Sequence, residues 1–557
     1  MDKKRQIATV GALVVLTCCV QAWVIERAVA PAQDSLRYLI VAQSMAREGL
    51  AETLANQYEQ PLFPALVWLT HDALSRLGVI AASDWAASLQ WAAAAPLILA
   101  IVPLFLLLRI LHGPRAALAG CLLFAFVNAV ARLGADGLSD STHLCLCLAA
   151  LWAVAAYFQT IRLPPLASGP SLPSRRREAG WLLAAGVFSG LALLARAEAL
   201  VVPAAFFATL ALMQCRPRWR LAWDEAATAA VSLAGGLGLV LVGYLSFCGA
   251  LRPDAAFDRI LGRRGAVETE ALNVTVRGEP RAANEQRWDL EGTGRLVFGR
   301  KDPTTSSRFH GPRAAARRLT EELVQALQYW IGALALFGYW RTRRRTAGPL
   351  DRFVQIACLL VLSGGWYIAA RSGYLSTRHL LLLIVFAIGW AGAGASALGE
   401  MLSAATRGRP HRLSPRAARG AAIAAVVLAC LPALARPLHA SRINHREAAD
   451  WLTEHAKQND VVLDSRGWTA LYTGRPTYRY EAAQAAFNDP RLAYVVVEQA
   501  ELDAASPRGE TMRRLLAQAG EPVARFPAPG AKPERDVVVH RWRPQHFQAL
   551  GDRLHAR

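Results

Sequence analysis

This chain encodes a polytopic α-helical membrane protein of about eleven spans with a small soluble α/β domain at its C-terminal end. Three features carry that reading: long apolar blocks, basic clusters on alternate short connections, and polar segments with no run that could span. Hydrophobic residues make up 54% of the 557 and are gathered into blocks. Residues 7–24 and 85–108 can each cross ~30 Å of hydrocarbon at about 1.5 Å per residue. Residues 224–250, 320–340, 353–370, 379–399 and 417–436 are comparable. The stretches 116–133, 140–161 and 180–213 supply about four more spans, the last as two short helices broken near Ala195–Glu198.

The net charge of +20 is laid out for topology rather than for nucleic acid. With Lys3, Lys4 and Arg5 in the cytoplasm and each span reversing the side, Arg109 and Arg115 fall inside. So do Arg175–Arg177, Arg216, Arg218, Arg220, Arg341, Arg343–Arg345, Arg407, Arg409 and Arg412. The short turns on the opposite side, such as Gly134–Ser139, are poor in Lys and Arg, as the positive-inside rule requires. The basic charge then also meets anionic lipid. This places the chain in an inner (plasma) membrane, with the N-terminus cytoplasmic and the C-terminal domain outside. Lys3–Arg5, an apolar run and Ala28-Val29-Ala30 mimic a secretory signal, but the run is long and Glu26 and Arg27 intervene, so an uncleaved first span is expected. All nine cysteines lie in or beside expected spans, which supports neither a disulfide framework nor a zinc site outside them.

A division follows into 1–438, the membrane domain with outer loops 30–84 and 252–319, and 439–557, the outer α/β domain. In the first loop, Leu36–Met45 and Leu62–Leu77 mix apolar residues with Arg, His and Asp, as helices lying in the interface do; His71 and Asp72 read as surface residues there. The loop 252–319 is polar and rich in Arg and Gly; its Asn273-Val-Thr275 matches the glycosylation sequon, a motif common by chance. Pro164–Pro173 reads as a flexible connector. In the tail, Asn444–Lys457 has helical spacing, as does the segment around Thr511–Ala519, while Asp460–Asp464, Ala493–Val497 and Val537–Val539 read as strands. That alternation predicts a mostly parallel sheet, with no glycine-rich phosphate loop after any strand. The tail is expected to fold by itself and not to carry the catalytic acid.

Ionisable groups at the ends of spans are costly, which makes them functional candidates. Asp34 lies just beyond the first span, Asp136 and Asp140 in the turn between the third and fourth, Arg196 and Glu198 at the break in 180–213, and Arg371, Arg378 and His379 at the start of the tenth. Each has a bland reading: a solvated acid, a structural ion pair, an arginine reaching for lipid headgroups. Their expected convergence on one face of the membrane, from distant parts of the chain, is what sets them apart.

These residues carry a resemblance to the GT-C glycosyltransferases, the polyprenyl-phosphate-sugar-dependent class of protein mannosyltransferases, aminoarabinose transferases and bacterial relatives. Asp34 with Tyr38 resembles that class's first-loop signature, and Tyr58-Glu-Gln-Pro-Leu-Phe-Pro64 its aromatic–Pro-Pro-Leu-Tyr-Pro stretch. Leu138-Ser-Asp-Ser-Thr-His-Leu144 sits where relatives carry Ser-Glu-Pro-Leu-Phe, which puts Asp140 at the acidic position. Gly190-Leu-Ala-Leu-Leu-Ala-Arg-Ala-Glu198 resembles the Gly-Leu…Thr-Arg-Pro-Glu helix break, and Thr377-Arg-His-Leu-Leu381 the Arg-Tyr-Leu-Leu helix start. A soluble tail opening with Ala449-Asp-Trp-Leu452 is also seen among relatives. Ser35 follows Asp34 where relatives often carry a second acid, Gln60 stands where His is common, and Ala197 replaces the usual Pro.

The resemblance implies an inverting transfer of a sugar from a polyprenyl-phosphate donor to a lipid, glycan or protein acceptor. It implies Asp34 as general base and Asp140 as a second, acceptor-orienting carboxylate. Arg196 and Arg378 become phosphate contacts, and Tyr38, Tyr58, Asp136, Glu198 and His379 complete the substrate-binding set. No cofactor or metal site is indicated, although a diphosphate donor would call for a divalent ion. The rival readings are an oligosaccharide transferase or lipid-glycan ligase using such a donor, a transporter, and an assembly protein with a degenerate site. Transport fits less well, because transporters gather their ionisable groups near the bilayer midplane. The topology yields an expectation of its own: a phosphatase reporter fused after Arg557 should be active only if that end lies outside the cytoplasm, and a fusion active only in the cytoplasm would overturn the assignment.

Overall fold

The computed structural model describes residues 3–56, 60–81, 84–161, 172–248, 311–343, 348–406, 414–475, 477–480, 483–504, 507–528, 530, 535–543 and 545. Tyr58, the body of the second loop with its sequon (249–310), and most of the connector (162–171) lie outside those residues. Helix α1 (Lys3–Glu26) is followed by α2 (Ser35–Glu48), α3 (Leu50–Asn56) and α4 (Leu62–Arg76). Next come α5 (Trp85–Leu99), α6 (Ile101–His112), α7 (Pro114–Phe126), α8 (Asn128–Asp136), α9 (Asp140–Thr160) and α10 (Leu172–Leu193). A 3-10 turn (Ala197–Leu200) leads into α11 (Val201–Cys215), followed by α12 (Trp223–Cys248), α13 (Pro312–Ala326), α14 (Trp330–Thr342) and α15 (Pro349–Ser372). A second 3-10 turn (Thr377–Leu380) opens α16 (Leu381–Ala405), and α17 (Pro415–Leu434) completes the bundle.

Among the described residues, eight helical stretches are long and apolar enough to cross a membrane, or nine if α7 and α8, bent by 51° at Val127, count as one span. The protein is thus a multi-pass membrane protein built on apolar helices. The expected break near Ala195–Glu198 is present, between α10 and α11. The expected span at 320–340 is instead divided, with Gln328 and Tyr329 at positive φ (50° and 53°) between α13 and α14. α13 carries Arg317, Arg318, Glu321 and Glu322, so it is an amphipathic helix, and the apolar remainder, α14, has only 13 residues.

The first-loop helices form where the apolar spacing places them, as α2 and α4. His71 is a correction: it is buried, with Nδ1 2.9 Å from Ser88 Oγ and its ring stacked on Trp85 at 3.7 Å. On α4 it falls on the face carrying Phe63 and Val67, which packs against α5, whereas Asp72 pairs with Arg76 in the open.

The tail begins with a 3-10 turn (Ala440–Arg442) and α18 (Ile443–His455), then β1 (Val461–Asp464), α19 (Trp468–Thr473), β2 (Thr477–Tyr478) and α20 (Ala483–Asn488). It continues with β3 (Leu492–Glu498), α21 (Gln499–Asp503), α22 (Pro507–Ala519), β4 (Gly520–Phe526) and β5 (Val537–Trp542). The five strands run in the order β2-β1-β3-β5-β4. β1 is parallel to both β2 and β3, but β3–β5 and β5–β4 are antiparallel, so the sheet is mixed rather than mostly parallel. The reason is the connection after β4, which is too short to hold the crossover that a parallel neighbour needs. Alternate residues feed two cores. Val461, Leu463, Val495 and Val497 meet Leu515 and Trp542 on one face, and Val462, Tyr494, Val496 and Val539 meet Ala448 and Leu452 on the other.

Two glycines decide local geometry. Gly137 ends α8 in the left-handed region (φ 65°), and a Cβ there would come within 2.8 Å of Leu89 Cγ, so the turn from α8 into α9 depends on it. Gly338 of α14 lies so close to α16 that a Cβ would run into the Trp390 carbonyl oxygen. Gly338→Ala is therefore expected to force the two helices apart and lower stability by about 1–3 kcal/mol. Thermal unfolding in detergent checks this, and an unchanged midpoint would contradict the packing.

Candidate active site

Four helical starts meet at one end of the bundle. Asp34 is the residue before α2, Asp140 is the first residue of α9, Glu198 lies in the 3-10 turn that opens α11, and Arg378 lies in the turn that opens α16. Each start leaves backbone N–H groups without helical partners and carries partial positive charge, which favours anions. Asp140 and Glu198 conform to that preference. Arg378 does not, and it needs carboxylates beside it.

Those carboxylates form a chain. Arg378 Nη2 donates to Asp34 Oδ2 at 2.7 Å, and its Nη1 stands 4.0 Å from Asp140 Oδ2. Arg196 Nη1 donates to Asp140 Oδ1 at 2.8 Å, while its Nη2 and Nε reach both oxygens of Glu198, at 2.6 and 3.2 Å. Tyr38, one turn along α2, lies with its hydroxyl 2.9 Å from Ser139 Oγ. So Asp34, Tyr38, Asp140, Arg196, Glu198 and Arg378 come together. Exposure is graded along the chain: the Asp140 side chain is 1% exposed, Arg196 15%, Arg378 21% and Asp34 58%. Asp140 Oδ2 is buried and makes no hydrogen bond.

Local backbone explains the placement. The Arg196 N–H still bonds back to the Ala192 carbonyl at 2.8 Å, but its extended backbone (φ −161°) ends the helical run after α10 and turns the side chain across to α9. The break also frees the Leu194 carbonyl, which accepts the Leu62 N–H at 3.1 Å and ties the start of α4 to the site. His379 Nδ1 lies 3.2 Å from the Ser376 carbonyl oxygen and closes the turn that holds Arg378, while Thr377 Oγ1 donates to Glu322 of α13 at 3.1 Å. Asp136 stands apart from the chain: it is buried, 2.8 Å from His439 Nε2 and 3.5 Å from Arg132 Nε. Ser139 and His439 were not singled out from the sequence. Ser139 adjoins Asp140 in the quoted motif and could have been, whereas nothing around His439 marks it. Among the described residues, no group of three or more His, Cys, Asp and Glu side chains is placed to hold a metal ion.

Burial opposes ionisation of Asp34, but the hydrogen bond and charge of Arg378, helped by Arg37 and Arg196, outweigh it and hold the carboxyl below its ordinary range.

The fold is that of the GT-C glycosyltransferases, polytopic membrane proteins, here with a small C-terminal sheet. The solved structures it resembles include ArnT from Cupriavidus metallidurans in the apo state, with a TM-score of 0.57 at 13% identity over 98% of this chain and 99% of that one. The same protein bound to undecaprenyl phosphate gives 0.56 at 12% identity over 97% and 98%. The oligosaccharyltransferase AglB from Archaeoglobus fulgidus, in complex with an inhibitory peptide and a dolichol-phosphate, gives 0.55 at 13% identity over 92% and 72%. No protein-family model and no curated protein sequence matches the chain.

The ion pair predicts a titration. The Asp34 carboxyl should protonate below the ordinary aspartate value of about 3.9, and Arg378→Gln should raise it. Because its folded pKa is lowered, whatever the pair adds to stability is present above the unfolded value and is lost as pH falls through the folded one. Carboxyl-carbon NMR of Asp-labelled protein, with Asp34→Asn identifying the signal, checks it. An Asp34 signal that ignores Arg378→Gln would contradict the pairing.

Proposed function

We propose that this protein is a membrane glycosyltransferase that moves a sugar from a polyprenyl-phosphate donor to an acceptor on the outer face of the membrane, with inversion and with Asp34 as base. The observation that carries the reading is the Asp34–Arg378–Asp140–Arg196–Glu198 chain at four helical starts. A lipid-linked donor keeps its isoprenoid in the bilayer and its phosphate at the edge, where these helices begin. The similar solved structures bound to undecaprenyl phosphate and to a dolichol-phosphate support that donor class. The alternating basic clusters support an inner-membrane protein with this end outside, and the sheet beginning near residue 439 as an outer domain.

The chemistry follows from exposure. In the resting site Arg378 is neutralised by Asp34, the most exposed acid of the chain. A donor phosphate offers Arg378 a stronger, charge-assisted partner, and helical N–H groups add to its pull. Arg378 then turns to phosphate and releases Asp34, whose affinity for a proton rises as the guanidinium leaves. The acceptor's nucleophilic oxygen attacks the anomeric carbon as Asp34 takes its proton. The bond from that carbon to the phosphate oxygen breaks, and the polyprenyl phosphate departs with its charge held by Arg378. Asp140, held through one oxygen by Arg196, faces Arg378 with the other, which becomes able to orient the acceptor once Arg378 turns to the phosphate.

Asp34→Asn is expected to lower kcat by about 10²–10⁴ with donor binding kept. Asp140→Asn should cost less in turnover, and Arg378→Ala should chiefly raise KM for the donor. Transfer from a radiolabelled polyprenyl-phosphate sugar in proteoliposomes measures all three. A folded Asp34→Asn protein working at the unmodified rate would refute the base assignment.

A further inference from the structure

The segment that carries Asp34 is pinned from the tail. Between α1 and α2 the backbone has no regular structure of its own, and four of its polar groups around residues 29–32 are met from distant segments. The Val29 N–H donates to the Leu438 carbonyl at 3.1 Å, and the Val29 carbonyl accepts the Tyr472 hydroxyl at 3.1 Å. The Pro31 carbonyl accepts from Arg442 Nη1 at 2.9 Å, and the Ala32 N–H donates to the Asp136 carbonyl at 2.9 Å. The Asp136 side chain is in turn 2.8 Å from His439 Nε2. His439 itself adopts a left-handed backbone (φ 55°), which swings the chain from the end of α17 into the tail and toward Asp136. Apolar contact completes the grip: Ala30, Leu36 and Leu39 form one buried cluster with Trp468 and Leu471 of α19, and the Arg442 guanidinium lies 5.0 Å from the centre of the Trp468 ring.

We propose that the C-terminal domain sets the position of the first-loop carboxylate, with Arg442 and Tyr472 as positioning residues that act on Asp34 through residues 29–32. Of the four backbone hydrogen bonds named above, three are made by the tail or by Leu438 at its entry. Asp34 itself is largely exposed, and one arginine is not enough to fix both its height and its direction. Freeing residues 29–32 leaves Asp34 able to meet Arg378 yet no longer held within reaction distance of an acceptor. A shift of about 1 Å at a reacting group can cost ~10²-fold in rate. The proposed donor contact, Arg378, is held in the turn that opens α16 by Ser376 and His379 rather than by the tail.

This inference rests on Asp34 being the base, and the test separates the two. Full-length protein in nanodiscs, unmodified and as Tyr472→Phe, Arg442→Gln, the double variant and Arg442→Lys, is followed by amide hydrogen exchange across residues 29–39. Transfer from a radiolabelled polyprenyl-phosphate sugar is measured on each, with Asp34→Asn alongside. The expected result is faster exchange in 29–39 with β1 and β3 still protected. With it, kcat should fall about 10- to 100-fold in the double variant at an unchanged donor KM, and Arg442→Lys, which keeps a donor for Pro31, should recover most of it. A tail that merely stabilises the fold would lower the amount of active protein and leave kcat per folded molecule alone. If Arg442→Gln unfolds the sheet, Tyr472→Phe decides, since it removes a single hydroxyl. Unchanged exchange in 29–39 overturns the proposal whatever Asp34 does. Faster exchange with unchanged kcat also overturns it; the Asp34→Asn rate then tells whether the base assignment falls with it or stands alone.

Discussion

Arg196 is a guanidinium that keeps its charge while almost wholly withdrawn from water, and most of the site is arranged to meet that demand. Arginine does not shed its proton inside a protein, so a buried one must be paired and hydrogen-bonded. Glu198 takes two of its N–H groups from two residues away, and Asp140 takes a third from the start of another helix. Removing one partner of such a buried pair typically costs about 3–5 kcal/mol, because the remaining charge is stranded. The same residue marks where α10 stops, and the carbonyl released there fastens α4. A single buried cation thus links α9, α10, α11 and the end of the first loop.

The second cation of the site is under a different constraint. Arg378 and Asp34 are a partly exposed pair, and pairs of that kind are worth only about 0–1 kcal/mol. The inner pair, with Asp140 almost fully buried, is not readily exchanged, whereas the outer one is. A charged ligand arriving from the surface meets the weak link first. On the proposed reading this division separates scaffold from chemistry: Arg196 and Glu198 hold the helices, and Arg378 and Asp34 trade partners during the reaction.

The apolar blocks 7–24, 353–370 and 417–436 fall within or close to α1, α15 and α17, because hydrocarbon thickness is a length requirement that sequence displays directly. Hydropathy failed at 320–340, where an amphipathic helix and a short apolar one read as a single run, and it passed over β4, whose strand contains Pro522 and is mostly half-exposed or exposed. The members of the ion-pair chain were legible for a similar reason, since charge at the end of a span is expensive and stands out. Their pairing was not. Asp34 and Arg378 are 344 residues apart and Asp136 and His439 are 303 apart, and no local pattern records such partnerships. His71 shows the complementary failure: its polarity announced a surface residue, while the cavity beside Trp85 and Ser88 exists only once α4 packs on α5.

The sign of the charges at the helical starts bears on whether the outer pair is structural or exchangeable. A helix start favours a carboxylate by about 0.3–1 kcal/mol and disfavours a cation by a similar amount. Asp140 and Glu198 occupy the favoured arrangement, as residues that only brace a fold would. Arg378 stands in the first turn leading into α16, against that field, and the carboxylate it hydrogen-bonds, Asp34, is an exposed residue immediately before α2. On the proposed reading, the cation held in the turn attracts anions and the exposed acid before α2 is the proton acceptor. That is the polarity a phosphate-binding, base-assisted transfer requires.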